Sequence, residues 1–290
     1  MAGRKTLARK TLSALFFLLK GFFKILLKIF KIFFKLSWKL LLALLWFFKK
    51  LSSFLFSRVK SFAQRKAIEK RKPKLEASFK PLFELKNISG DLNEFQQKLY
   101  ASKSLIGIII GARGSGKSAL GLRLLENARA KGRVVAAMGF SEETLPSWIN
   151  CVKNLNEVKN GSFLLVDEGG ILFSSRETFS NANKLLSELL LISRHKDLSV
   201  LFISQNSSNL DVNTLRQADY LLLRRPSLLQ KDFERKIIQK IYEEFGSEFK
   251  KISEHSTLVY SDSYQGFVKN ELPSFWSEAA SKSFKNYKTN

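Results

Sequence analysis

Two hydrophobic rhythms divide the chain. From Thr11 to Phe56 a run of Leu, Phe, Ile and Trp is interrupted by Lys20, Lys24, Lys28, Lys31, Lys35 and Lys39, at intervals of three or four residues. At about 100° per residue the six lysines fall within a stripe roughly 100° wide, and Ser13 and Lys49 project onto it, which leaves the opposite face apolar and aromatic. The spacing predicts a helix of about 45 residues, on the order of 68 Å long, or two helices broken near Ser52–Ser53. From Leu105 the rhythm changes, and short apolar runs alternate with helix-forming segments. Strands are predicted at Leu105–Ile110, Arg133–Met138, Ser162–Asp167, Ser199–Ser204 and Tyr220–Leu223, with helices at about 117–130, 180–195 and 211–218. That alternation belongs to an α/β fold with a central, mostly parallel sheet. Phe83–Leu105 reads as an irregular or helical lead-in. Ser227–Phe245 reads as one amphipathic helix, with Leu228, Leu229, Phe233, Ile237, Ile238 and Ile241 facing the core and Lys231, Arg235, Lys236 and Lys240 in solvent. Ser256–Tyr260 and Gln265–Val268 suggest a hairpin.

The junction between the first strand and the first helix of this domain carries chemistry. Residues 111–118 read GARGSGKS, so Gly111, Gly116, Lys117 and Ser118 satisfy the phosphate-binding loop pattern of P-loop NTPases. Glycines let such a loop turn its N–H groups inward, and the helix that follows directs its positive end at the same phosphates. Gly111, Ala112, Arg113, Gly114, Ser115, Gly116, Lys117, Ser118 and Ala119 are therefore the expected nucleotide-binding residues. Lys117 reaches the β- and γ-phosphates, and the Ser118 hydroxyl is a ligand for Mg²⁺. About 50 residues on, the apolar run FLLV ends in Asp167–Glu168. An acid at the C-terminal end of a buried strand lands beside the loop, so Asp167 is expected to hold Mg²⁺ and Glu168 to orient and deprotonate the attacking water. The next strand ends in Gln205, which can touch the γ-phosphate or that water, or simply terminate the strand. No N-K-x-D base-reading motif occurs, which favours ATP over GTP.

Charge separates the two rhythms further. Residues 1–74 contain 20 Lys and Arg against one acid, Glu69, and so carry +19 of the formal +24. Basicity thus belongs to the leader, and a nucleic-acid argument from the whole-chain balance would be misplaced. One cysteine, Cys151, excludes an intrachain disulfide, and two histidines leave no plausible Cys/His metal site. The longest uncharged runs of the leader, Thr11–Leu19 and Leu40–Phe48, have nine residues each, short of the roughly 20 a spanning helix needs. The better fit is a helix lying in the membrane interface, its apolar face among acyl chains and its lysines at anionic headgroups. A spanning or re-entrant hairpin and a protein-bound helix are the alternatives. The expected division is a membrane-associated helical segment at 1–60, a basic linker at 61–82, an ATPase domain at 83–272 and a polar tail at 273–290.

The stretch from Leu190 to Gln217 adds a family likeness. Arg194–His195 at a turn, an apolar strand ending in Ser204–Gln205, and a helix ending in Leu215–Arg216–Gln217 resemble the FtsK–HerA group of P-loop ATPases. The nearest branches are the viral genome-packaging ATPases and the zonula-occludens-toxin-like (Zot) phage assembly ATPases. The resemblance spans about residues 104–240 and implies a RecA-like fold, a homo-oligomer such as a hexameric ring, and ATP-driven movement of DNA or virion assembly. It implies that Gln205 is the sensor and that Arg194 or Arg216 acts on ATP or DNA, an arginine finger being one such role. It also implies rings or membrane-bound multimers, and the expected location is membrane-associated with the ATPase domain on the cytoplasmic side. Zot-like proteins carry their membrane segment after the ATPase domain, whereas this leader precedes it. A regulatory or secretion NTPase that moves no nucleic acid, and a membrane-remodelling protein under ATPase control, are the rival functions.

Overall fold

The phosphate-loop strand lies inside the sheet that the alternating pattern calls for. A computed structural model describes residues 75–168 and 179–277, with 179–185 as backbone only, and in the leader positions 24, 28, 30, 31, 33–36, 38, 39, 41, 42 and 44–60. Lys20, most of the basic linker and the tail from 278 onward lie outside the described residues. The chain divides into two units, residues 1–67 and 68–290.

In the first unit every described position between 24 and 60 is helical and exposed. Of the two alternatives, the break at Ser52–Ser53 is absent: both hydroxyls donate back to carbonyls three residues earlier, at Lys49 and Lys50, and satisfy themselves within the helix. Phe33, Phe34, Trp38, Trp46 and Phe47 are among its exposed large side chains. No helix among the described residues is long and apolar enough to cross a membrane.

In the second unit, nine strands among the described residues form one sheet, ordered β1-β9-β8-β7-β2-β6-β5-β3-β4. The strands are β1 (Phe83–Gly90), β2 (Ile106–Ile110), β3 (Val135–Met138), β4 (Asn150–Cys151), β5 (Phe163–Asp167), β6 (Ser199–Ser204), β7 (Tyr220–Arg224), β8 (Thr257–Ser261) and β9 (Tyr264–Lys269). The helices are α1 (Leu92–Ala101), α2 (Lys117–Ala130), α3 (Phe179–His195), α4 (Val212–Gln217), α5 (Leu228–Phe233), α6 (Lys236–Glu244) and α7 (Gly246–Lys251). Strands β7, β2, β6, β5, β3 and β4 are mutually parallel. Strands β8, β9 and β1 extend the sheet antiparallel from β7. All five predicted strands and the hairpin are present. β2 is fully buried because helices cover both sheet faces, which is why its run of isoleucines shows no alternation.

Two expectations fail. The lead-in is helical only in its second half, α1: Phe83–Gly90 is an edge strand paired with β9, and its exposure on all eight residues hides it from a hydrophobic search. The single helix at Ser227–Phe245 is two, broken where Glu234 becomes extended. The Glu234 carboxylate accepts from Ser207 N at 2.6 Å, and the Arg235 side chain donates to the Ser207 and Leu210 carbonyls. Those bonds outweigh two more helical residues, and Arg235 is not a solvated charge. Ile238 and Ile241 are core, but Leu228, Leu229, Phe233 and Ile237 are exposed.

The segments near both ends of the described stretch 75–277 are fastened to α2. Glu126, fully buried on that helix, pairs with Arg123 at 3.0 Å and accepts from Ser78 and from the Ser274 N and Oγ. Arg123 donates to the carbonyls of Ser78 and Leu272. Asn127 bonds both backbone groups of Lys80. The start of the expected polar tail is therefore docked, with Phe275 buried edge-on against Trp148.

Candidate nucleotide site

The site forms where β2, β6 and β5 end together. Their register sets Ile110 opposite Ser204, and Asp167 opposite Ile203. The loop after β2, the end of β6 and the Asp167–Glu168 pair therefore open on one edge of the sheet, where a parallel sheet binds ligands.

The loop geometry follows from its glycines. Gly114 and Gly116 adopt φ of 79° and 88°, which L side chains resist. Gly111 is required for a different reason: a Cβ there would lie 2.4 Å from the Arg224 Cβ. Within the loop Ser115 N donates to Ala112 O, and the first bond of α2 runs from Leu120 N to Gly116 O. The N–H groups of Lys117, Ser118 and Ala119 thus point out of the helix start, ready for an anion. The Ser115 hydroxyl is buried without a partner, an orphan a phosphate oxygen would satisfy. Ala112 N donates to Arg225 O, which ties the loop to β7.

Lys117 is 7% exposed and folds back on the loop, its Nζ donating to Gly111 O at 2.7 Å and Ala112 O at 2.9 Å. Burial lowers its pKa to about 8, Asp167 opposes that fall, and the nearby Arg224 adds to it. Ser118 Oγ stands 3.4 Å from Asp167 Oδ2. Hydroxyl and carboxylate together form a hard-oxygen pair that fits Mg²⁺, which takes one or two protein oxygens and completes its shell with phosphate and water. Among the described residues no cluster of three His, Cys, Asp or Glu exists, so the remaining ligands would have to come from nucleotide and solvent.

Glu168 is buried beside this pair. Ser204 Oγ donates to its Oε2 at 2.5 Å. Desolvation raises its pKa above the carboxylate norm, the Ser204 bond lowers it, and the Asp167 charge raises it again. A carboxylate held in one rotamer with a raised pKa has the properties of a general base. From sequence Ser204 enters only as part of the family series, without a role, because it reads as one more residue of a buried strand. Its signal is a hydroxyl that faces an acid-bearing neighbour strand.

The other expected residues are distributed unequally. Gln205 follows Ser204 with its side chain exposed, and its carbonyl accepts from Gln230 Nε2 at 2.6 Å. Arg194 and Arg216 do not join the site. Arg194 ends α3 just before the turn whose Lys196 carbonyl accepts from Gly161 N, ahead of β5. Arg216 ends α4 just before Asp219, which pairs with Ile106 at the start of β2. Both are exposed on the opposite edge of the sheet, about 17 Å of strand from the loop of their own chain.

No protein-family model and no curated protein sequence matches the chain. Solved structures do. B204, the DNA-packaging ATPase from Sulfolobus turreted icosahedral virus, matches at 16% identity over 59% of this chain and 99% of its own, with a TM-score of 0.43. The genome-packaging NTPase B204 from Sulfolobus turreted icosahedral virus 2, solved with ATPγS, matches at 16% identity over 59% and 99%, with a TM-score of 0.41. The pCW3 conjugation coupling protein TcpA, also solved with ATPγS, matches at 12% identity over 61% of this chain and 62% of its own, with a TM-score of 0.41. With scores of this size, the case for the fold rests on the strand order and loop geometry above.

Proposed function

We propose that the chain is a P-loop ATPase that hydrolyses ATP with Mg²⁺ and uses the energy to move or package DNA. The observation that carries the hydrolytic part is the convergence of Lys117, Ser118, Asp167, Glu168 and Ser204 at the ends of three adjacent parallel strands. In this reading the N–H groups of residues 117–119 and the Lys117 ammonium bind the phosphates, while Ser118 and Asp167 would hold the metal, which would supply positive charge to offset the negative charge of the phosphates. Glu168, fixed by Ser204, accepts the proton of the attacking water.

The DNA part is supported by the Arg194 to Gln217 residue series and its family likeness. Since Arg194 and Arg216 lie across the sheet from their own loop, we assign them to a neighbouring subunit's nucleotide, which requires a homo-oligomer, or to DNA. Residues 10–60 are assigned to an anionic membrane surface, with the ATPase domain on the cytoplasmic side; the exposed aromatic residues and lysine stripe of the leader support this. The experiment is the ATPase rate of the full chain with and without DNA and anionic vesicles, alongside its oligomeric state. Stimulation by DNA supports the motor reading. ATP hydrolysis indifferent to DNA would leave an ATPase of the regulatory or secretion kind.

A further inference from the structure

Arg224 is a buried cation without an anion. It ends β7, next to the phosphate-loop strand, and is 3% exposed. Its guanidinium donates to the carbonyl of His255, to Asn270 Oδ1 at 2.8 Å and, at the 3.5 Å limit, to the carbonyl of Gly116. All three partners are neutral. Its Nε is buried with no partner, and no carboxylate forms an ion pair with it among the described residues. Desolvating a charge costs several kcal/mol even after relaxation, so a buried guanidinium normally recruits an acid. Arg123, equally buried, has Glu126.

The position of Arg224 supplies the missing charge. Its side chain packs behind both ends of the loop: its Cβ occupies the space a Gly111 side chain would take, and its Nη2 lies 3.6 Å from where a Gly116 Cβ would be. Lys117, the other cation at this point, is likewise held only by carbonyls. Two desolvated cations converge on one loop, with Asp167 and Glu234 the acids that act on Lys117. That arrangement favours a polyanion in the loop.

We propose that Arg224 is a positioning residue of the nucleotide site, which braces the loop at Gly111 and Gly116 and supplies a second fixed positive charge from beneath the phosphates. The inference rests on the nucleotide reading above. It also gives the antiparallel extension a role, since His255 precedes β8 and Asn270 follows β9, and together they hold the guanidinium against the loop.

The test compares Arg224→Gln, Arg224→Lys and Asn270→Ala in the full chain, by calorimetric titration with ATP and ADP across salt concentration, with melting temperature measured alongside. Arg224→Gln should weaken ATP binding by about tenfold or more, and weaken ADP binding less because ADP carries less charge. Arg224→Lys should recover most of the loss. A lower melting temperature with unchanged ATP and ADP affinity of the folded protein would overturn the proposal. If Arg224→Gln does not fold, Asn270→Ala decides: it must weaken ATP binding more than ADP binding, and no change rejects the idea. Wild-type protein that binds no ATP sinks the nucleotide reading itself, whereas wild-type binding unaltered in Arg224→Gln sinks only the role of Arg224.

Discussion

The two ends of helix α2 treat charge in opposite ways. At its start Lys117 is buried against carbonyls alone, beside a serine hydroxyl with no partner and a second unpaired cation. Two turns on, Arg123 and Glu126 are buried to the same degree, but each is satisfied: the carboxylate meets the guanidinium and four donors from Ser78 and Ser274. The first region leaves its polar groups open to a ligand, and the second closes every valence within the fold. Unsatisfied buried polar groups cost free energy, so they persist where a ligand repays them. The contrast separates binding from holding along one helix.

Substitutions at the two ends should therefore break different properties. The largest effect is expected at the open end: Glu168→Gln should leave ATP binding intact while lowering steady-state turnover by about 100- to 10,000-fold, the range for loss of a general base. Full turnover in that variant removes the base assignment. At the closed end Glu126→Ala should destabilise the domain by roughly 3–5 kcal/mol in denaturant unfolding, because it strands the buried Arg123. A mild loss there would mean that the clamp is dispensable. Ser204→Ala should cost about 1 kcal/mol of transition-state stabilisation, about fivefold in turnover, with little change in melting temperature. It should also move the acid limb of the pH–rate profile upward, since the hydrogen bond that lowers the Glu168 pKa is gone.

The last expectation concerns the pH dependence of binding. Lys117 must be protonated to hold phosphate, and burial lowers its pKa to about 8 from its value of 10.5 when solvated. Below pH 8 the ammonium is already formed and Lys117 adds no pH dependence to ATP affinity. Above pH 8 binding must take up a proton, so affinity should fall with pH by up to about tenfold per unit. Turnover has the opposite limb at low pH, because Glu168 with its raised pKa is protonated and idle there. A pH–rate profile lacking either limb would count against that residue's assignment.

Much of the open end was legible in the sequence, and little of the closed end was. GARGSGKS and the Asp167–Glu168 pair are local patterns in which spacing alone implies geometry, and Ser118 and Asp167 do meet. Gln205, Arg194 and Arg216 came from a residue series, which says which types recur but not which sheet edge they occupy. Ser204 and Arg224 were hidden because each is an ordinary strand residue until its neighbour is known. Edge strand β1 was hidden because pairing with β9 needs no hydrophobic signature. The helix expected across Ser227–Phe245 failed because Ser207, distant in sequence, drew Glu234 and Arg235 out of it.

The sequence by itself determined the phosphate loop, the alternating strands and helices, and the lysine stripe of the leader, since each depends on contacts or periodicities within a few residues. Only the tertiary structure decided that Glu168 is held by Ser204, that Arg224 lies uncompensated behind the loop, and that Arg194 and Arg216 face away from it. Burial and strand order, which set the energy of a charge and the edge it occupies, are properties of the packed sheet and are not written in any one segment of the chain.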